Sequence, residues 1–199
     1  LLVKFKESLE SLFRAAARSL LKAGLTANMV TLIGLAFSAG AAYTYYVGAG
    51  ETALTRLASI LLLVSGFFDC LDGVMARMQG GGTRLGSFLD SVADRYGDGF
   101  IIAAIALGYL KLSFLGLPMA FWGLAALFGS LLVSYIRAKG ESLNVKVAGV
   151  GLAERPERIL IIAFLGLLGF PWLGVVAVAF LSNLTAIQRF LHIFLRLRG

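Results

Sequence analysis

A chain of 199 residues, 59% of them hydrophobic and 15% charged, with a mean hydropathy of +0.87, is too apolar for an ordinary soluble domain, in which about half the residues are apolar and about a quarter charged. The same figures exclude disorder, which needs low hydrophobicity and high net charge. The net charge of +7, from 18 Lys and Arg against 11 Asp and Glu, is read as the basic excess that membrane proteins gather on their cytoplasmic side, and not as a nucleic-acid surface.

In chain order, Leu2, Phe5, Leu9, Leu12, Phe13, Ala16 and Leu20 recur at three- and four-residue steps. Lys4, Glu7, Glu10, Arg14, Arg18 and Lys22 fall largely elsewhere on the wheel. Residues 1–24 therefore read as a juxtamembrane amphipathic helix lying in the headgroup plane and ending at Gly24. This stretch is too charged for a cleavable signal peptide. Apolar stretches follow near 28–48, 54–78, 86–110, 118–139, 157–170 and 172–195, separated by glycine- and proline-bearing breaks. The prediction is an all-α integral membrane protein of one domain, 1–199, with six transmembrane helices in 25–199 and the in-plane helix before them. Thr26 or Asn28 caps the first span.

Topology follows from the basic residues. With the N-terminus inside, the outer turns hold or adjoin only Arg56 and Lys111, and the remaining Lys and Arg lie at the inner end. Both termini are then cytoplasmic, at the cell membrane. The lone cysteine, Cys70, excludes an intrachain disulfide or a cysteine metal cluster and is read as a small buried apolar residue.

Carboxylates inside a membrane helix are costly and usually functional. Asp69 and Asp72 stand three apart at the inner end of the second span, and Asp90 and Asp94 stand four apart at the start of the third, so each pair shares a helix face. The Gly80–Gly82 turn folds the two helices side by side. Four carboxylates would then meet, with Arg77 and Arg95 too few to balance them. An all-oxygen donor set favours a hard cation, Mg²⁺ or Mn²⁺, and two ions are expected if one carboxylate bridges. The competing reading is a salt-bridge network at a helix end. Gly73 leaves the backbone open, Arg77 can hold a phosphate by a forked pair of bonds, and Thr83 and Gly86 sit on the returning turn. That combination suits phosphoryl or phosphatidyl transfer.

The stretch Asp69-x2-Asp72-Gly73-x2-Ala76-Arg77-x8-Gly86-x3-Asp90-x3-Asp94 resembles the signature of the CDP-alcohol phosphotransferases at every defining position. The resemblance implies a CDP-linked lipid donor at the cytoplasmic face, an acceptor hydroxyl attacking the β-phosphorus, and CMP leaving. It implies that Asp69, Asp72 and Asp90 hold the metals, and that Asp94 completes the site and acts as general base. Asp69, Asp72, Gly73, Arg77, Thr83 and Gly86 would receive the donor. A homodimer is expected on the same ground. Thr26-Ala27-Asn28 resembles the family's Thr-Pro-Asn start to the first span, with alanine in place of proline, which implies Asn28 near the nucleotide. Asp98 is read as a structural partner of Arg95 or another base.

A second constellation is basic: Ser134-Tyr135-Ile136-Arg137-Ala138-Lys139, then Glu154-Arg155-Pro156-Glu157-Arg158, then Gln188-Arg189. All three approach the inner end and would attract a phosphorylated acceptor, although charge alone fits positive-inside decoration equally well. The pattern is similar to the inositol-phosphate branch of the family. That similarity implies inositol 1-phosphate as the phosphorylated polyol acceptor, CDP-diacylglycerol or CDP-archaeol as donor, and Arg137, Lys139, Arg155 and Arg189 around the acceptor phosphate. Arg158 would brace the loop through Glu154 or Glu157. Glycerol 3-phosphate is the alternative acceptor. A membrane prenyltransferase would need two separated Asp-rich motifs on a larger bundle, and a divalent-cation transporter would hold its carboxylates near mid-bilayer between half-helices. His192 and the aromatic residues are assigned no chemistry.

Overall fold

The structure, a computed structural model, describes residues 13–147 and 149–198. Helix α1 is described over residues 13–22, and the earlier part of the expected amphipathic helix lies outside the described residues. It ends as expected: Gly24 takes φ +83, and Leu25 N donates to Leu20 O at 3.1 Å. Its apolar side packs on protein. Ala17, at 0% exposure, joins Val30, Leu71 and Met75 in one cluster, and the Phe13 and Phe67 rings lie 5.1 Å apart.

Six longer elements follow: α2 (Ala27–Val47), α3 (Thr52–Met78), α4 (Arg84–Gly108), α5 (Met119–Ser142), α6 (Arg155–Leu167) and α7 (Pro171–Arg198). They match the expected apolar stretches to within a few residues at most ends. Thr26, not Asn28, caps α2, its hydroxyl accepting from Met29 N at 3.3 Å. Between α4 and α5 the chain forms a two-stranded hairpin absent from the sequence reading, β1 (Ser113–Phe114) with β2 (Leu117–Pro118). Its turn places Leu115 and Gly116 at φ 51 and 75, the left-handed pair that a tight hairpin turn requires.

Among the described residues four helices, α2, α3, α5 and α7, are long and apolar enough to cross a membrane. Helix α4 has the length, at 25 residues, but carries Arg84, Asp90, Asp94, Arg95 and Asp98 in its N-terminal part. Helix α6 has only 13 residues, about 20 Å at 1.5 Å per residue. Arg56 donates from Nε to Leu167 O at 3.0 Å, satisfying a carbonyl at the end of this short helix.

The core lies where α2, α3, α4, α5, α6 and α7 meet, around Tyr45, Leu62, Ile101, Ile105, Trp122, Ile162 and Val175. Missing side chains allow the close approach that packing in lipid favours: a Cβ on Gly123 would run into Ala106 Cβ, and one on Gly166 into Ser59 Oγ. Buried hydroxyls pair with one another, Tyr45 with Ser59 and Ser38 with Ser65, each at 2.8 Å. Cys70 departs from expectation: it is exposed, because it follows Asp69 on α3 and points away from the face that Leu71 and Asp72 bury.

Candidate active site

The α3–α4 turn builds the site. Gly80 and Gly81 adopt φ +93 and +113, a conformation that side-chain-bearing residues rarely take. Gly81 N closes the α3 end on Ala76 O at 3.0 Å. Thr83 then caps α4, its hydroxyl accepting from Gly86 N at 2.9 Å. The reversal brings the Asp90 carboxylate to those of α3, although α3 and α4 do not pack side by side as expected, since α2 packs against both. Asp69, Asp72 and Asp90 each offer a carboxylate oxygen, and these oxygens lie within 4.8 Å of one another.

A hydroxyl that the sequence reading passed over anchors the group. Thr31 Oγ1 donates to Asp72 Oδ2 at 2.6 Å from across α2. Asp72 is 6% exposed, and neither it nor Asp90 has an ion-pair partner among the described residues. An oxygen-only set with uncompensated negative charge fits a hard divalent cation. The only hint of Thr31 in the sequence was a hydroxyl one helical turn past Ala27, which by itself marks nothing.

Asp94 is held differently. Its Oδ1 lies 2.8 Å from Arg155 Nη1 and its Oδ2 3.3 Å from Arg95 Nη1. Arg155 Nη1 also reaches Asp69 Oδ1 at 2.6 Å, and its Nε reaches Asp98 Oδ1 at 3.2 Å. The same Asp98 accepts Arg158 Nη2 at 2.8 Å on its other oxygen. Asp98 thus pairs with bases other than Arg95. Arg158 does not brace the loop through Glu154 or Glu157, because Asp98 lies nearer to it; Glu154 is taken by Arg189 at 2.9 Å.

Beside the carboxylates opens a cleft of about 430 Å³, lined among others by Asn28, Asp72, Gly73, Arg77, Thr83, Gly86 and Asp90. The residues read as donor-binding therefore share one wall, except Asp69, which lines the smaller cavity behind. The geometry explains two glycines. A Cβ on Gly73 would touch Arg77 Nη1 at 3.4 Å, and one on Gly86 would meet Asn28 Oδ1 at 2.9 Å. Bare Cα atoms thus let the guanidinium fold over α3 and the Asn28 amide reach α4.

The basic residues do not gather into one open pocket. Arg155 is inserted among the carboxylates. Arg189, 2% exposed, donates to Val150 O at 2.8 Å, Val133 O at 3.0 Å and Glu154 Oε1 at 2.9 Å. Arg137 pairs one turn along α5 with Glu141 at 2.9 Å, and Lys139 is exposed. The loop before α6 is tied to α7 a second time by Thr185, whose hydroxyl accepts from Leu152 N and Ala153 N at 3.2 and 3.1 Å.

Helices in this arrangement, with carboxylates from two of them meeting beside a cleft that Arg77 lines, fit a membrane-associated enzyme of phosphoester transfer. The family model described as CDP-alcohol phosphatidyltransferase matches residues 24–191, and the chain belongs to that family. It is 38% identical to an archaetidylinositol phosphate synthase of Methanothermobacter thermautotrophicus, over 96% of this chain and 97% of the other. It is also 38% identical to one from Pyrococcus horikoshii, over 94% and 90%. Its fold is similar to the crystal structure of the Mycobacterium tuberculosis phosphatidylinositol phosphate synthase with CDP-DAG bound, with a TM-score of 0.78 and 29% identity over 92% of this chain and 94% of that one. The same mycobacterial protein in complex with manganese and citrate aligns with a TM-score of 0.76.

Proposed function

We propose that this enzyme transfers a phosphatidyl-type group from a CDP-activated lipid, diacylglycerol- or archaeol-based, to inositol 1-phosphate, with release of CMP. The observation that carries the reading is that Asp72, Gly73, Arg77, Gly86 and Asp90 of the Asp69–Asp94 stretch line one cleft, with a carboxylate oxygen of Asp69 beside those of Asp72 and Asp90. The relatives named for inositol phosphate products support the choice of acceptor over glycerol 3-phosphate.

Asp69, Asp72 and Asp90 would hold a divalent ion, Mg²⁺ or Mn²⁺, and a second ion would be held with Asp94 completing the site. Bound there, a metal supplies positive charge to the donor's pyrophosphate and makes a nearby hydroxyl more acidic. Arg77 grips the donor phosphates, and Asn28, Gly73, Thr83 and Gly86 shape the wall that takes the cytidine diphosphate. The acceptor oxygen bonds to the β-phosphorus while the bond from that phosphorus to the bridging oxygen breaks. CMP leaves with the electron pair, and Asp94 takes the hydroxyl proton. Arg155 binds the acceptor phosphate, with Arg137 and Lys139 adding charge at the rim and Arg189 holding the loop that presents Arg155.

All six helices α2 to α7 cross the membrane in this reading. Asp94 and Asp98 of α4 are paired with Arg155 and Arg158 at the start of α6, which lowers the cost of holding them in the membrane. Both termini and the site face the cytoplasm, α1 lies at the inner surface, and the enzyme is a homodimer. Further along α2 and α4, a groove of about 370 Å³ lined by Ala39, Tyr43, Tyr46, Phe100, Ala104 and Leu107 offers an apolar path for the donor's chains.

The test is CMP release from CDP-diacylglycerol and CDP-archaeol by purified protein with Mg²⁺ or Mn²⁺, with inositol 1-phosphate, glycerol 3-phosphate, serine and free inositol in parallel. Release with inositol 1-phosphate alone is expected. Release only with another acceptor keeps the carboxylate chemistry and overturns the acceptor. Thr31→Val should weaken Mn²⁺ binding about 10- to 100-fold, as loss of a hydrogen bond to a metal ligand does. Calorimetric titration with Mn²⁺ measures this, and Thr31→Ser should restore most of it. Unchanged affinity in Thr31→Val would take Asp72 out of the ion's shell.

A further inference from the structure

We propose that Arg155 is an acceptor-operated latch on Asp94: it holds the base's carboxylate until an acceptor phosphate draws it away, so that the CDP-lipid is not hydrolysed by water while the acceptor site is empty. The inference rests on the reaction proposed above and adds to it a control over when the base works.

The geometry is that of a latch with one fixed end. At the fixed end, Arg155 Nε meets Asp98 Oδ1 at 3.2 Å. Asp98 is itself secured by Arg158 at 2.8 Å, and Arg158 is only 4% exposed. At the other end, Nη1 bridges Asp69 Oδ1 at 2.6 Å and Asp94 Oδ1 at 2.8 Å. The remaining oxygen of Asp94 faces Arg95 at 3.3 Å. One oxygen of the proposed base therefore accepts from Arg95, and the other lies in ion-pair contact with Arg155. A carboxylate engaged in this way has little capacity left to take a proton from water.

The Arg95 contact is the longer, and its side chain is 37% exposed, so Arg155 dominates. A phosphate dianion can compete with the two carboxylates for Arg155, because guanidinium–phosphate pairing is also forked and charge-assisted. Nη2 lies beside Gly97, where a Cβ would stand 3.6 Å from it, so no side chain on that residue separates the guanidinium from α4. Acceptor binding then frees Asp94 Oδ1 at the moment an acceptor hydroxyl is present.

The reaction held back is hydrolysis of the donor. A water oxygen bonds to the β-phosphorus, the bond from that phosphorus to the bridging oxygen breaks, and CMP leaves with the electron pair. The water proton goes to Asp94, and the lipid product is a phosphate monoester.

The experiment uses the whole protein with Mn²⁺ and CDP-lipid, without inositol phosphate, and measures CMP together with lipid phosphate. Methyl phosphate, which carries the phosphate but no free alcohol, should raise wild-type hydrolysis about tenfold, a modest share of what a positioned base contributes. Arg155→Gln should show the raised hydrolysis without methyl phosphate and should not respond to it, while its transfer to inositol 1-phosphate falls. Wild-type protein that transfers to inositol 1-phosphate but is unaffected or inhibited by methyl phosphate overturns the latch and leaves the reaction standing. So does a folded, Mn²⁺-binding Arg155→Gln protein that hydrolyses no faster than wild type. If Arg155→Gln does not fold, the wild-type methyl phosphate series decides alone. Wild-type protein that transfers to no acceptor overturns the proposed reaction, and the latch with it.

Discussion

Asp94→Asn should lower CMP release by about 10²- to 10⁴-fold, the contribution typical of a positioned general base, while Mn²⁺ binding persists. The two readouts separate because of how the carboxylates are shared out. Asp69, Asp72 and Asp90 converge on one another without Asp94, and Asp94 is held by Arg155 and Arg95. The asparagine keeps the size and one hydrogen-bond acceptor but cannot take the acceptor's proton. Steady-state CMP release and calorimetric Mn²⁺ titration on the same preparation check the prediction. Full activity would remove Asp94 as the base. A loss of Mn²⁺ affinity as large as that in Asp72→Asn would instead place Asp94 among the ligands of the first ion.

Arg189→Ala should act on stability first. Arg189 is buried at 2% exposure and ties Val133 O on α5 to Val150 O and Glu154 in the loop before α6. Removing it strands Val150 O and leaves that loop held to α7 by Thr185 alone. Two buried bonds from a charged donor, with a partly solvated third at Glu154, suggest a loss of about 3 kcal/mol, or a fall in Tm of about 10 °C. Thermal unfolding in detergent measures this. The apparent KM for inositol 1-phosphate should rise secondarily, since Arg155 follows Glu154 directly, while the KM for CDP-lipid changes little. An unchanged Tm with a raised acceptor KM would mean that Arg189 contacts the acceptor itself. Arg155→Ala should raise the acceptor KM as well and should also lower Tm, because it removes the cation that Asp69, Asp94 and Asp98 share and leaves those carboxylates unpaired.

Much of the donor side was legible in the sequence because its residues are close in the chain. Helical spacing alone puts Asp69 with Asp72 and Asp90 with Asp94, and a glycine-rich turn between them permits only an antiparallel return. The six apolar stretches were legible for a similar reason: a run of about 20 apolar residues is a local property. The hairpin of Ser113 to Pro118 was not, since its four strand residues carry no alternation long enough to read.

The acceptor side was legible only as a class of charge. Three basic segments could be assigned to one end of the bundle, but which guanidinium meets which carboxylate depends on how α4, α6 and α7 pack across wide separations in the chain. Arg155 to Asp69, Arg189 to Glu154 and Thr31 to Asp72 are all contacts of that kind. Arg189, read as an acceptor ligand, is enclosed by backbone carbonyls because a guanidinium removed from water needs its donors satisfied.

By itself the sequence determined a chain for lipid surroundings, with a compact acidic signature between two helices, because composition and short-range periodicity already carry that information. Only the tertiary structure decided that Thr31 anchors Asp72, that Asp98 pins two arginines, and that Arg155 lies on Asp94. A side chain's partner in a helical bundle is set by which faces meet, and that is a property of the packed whole.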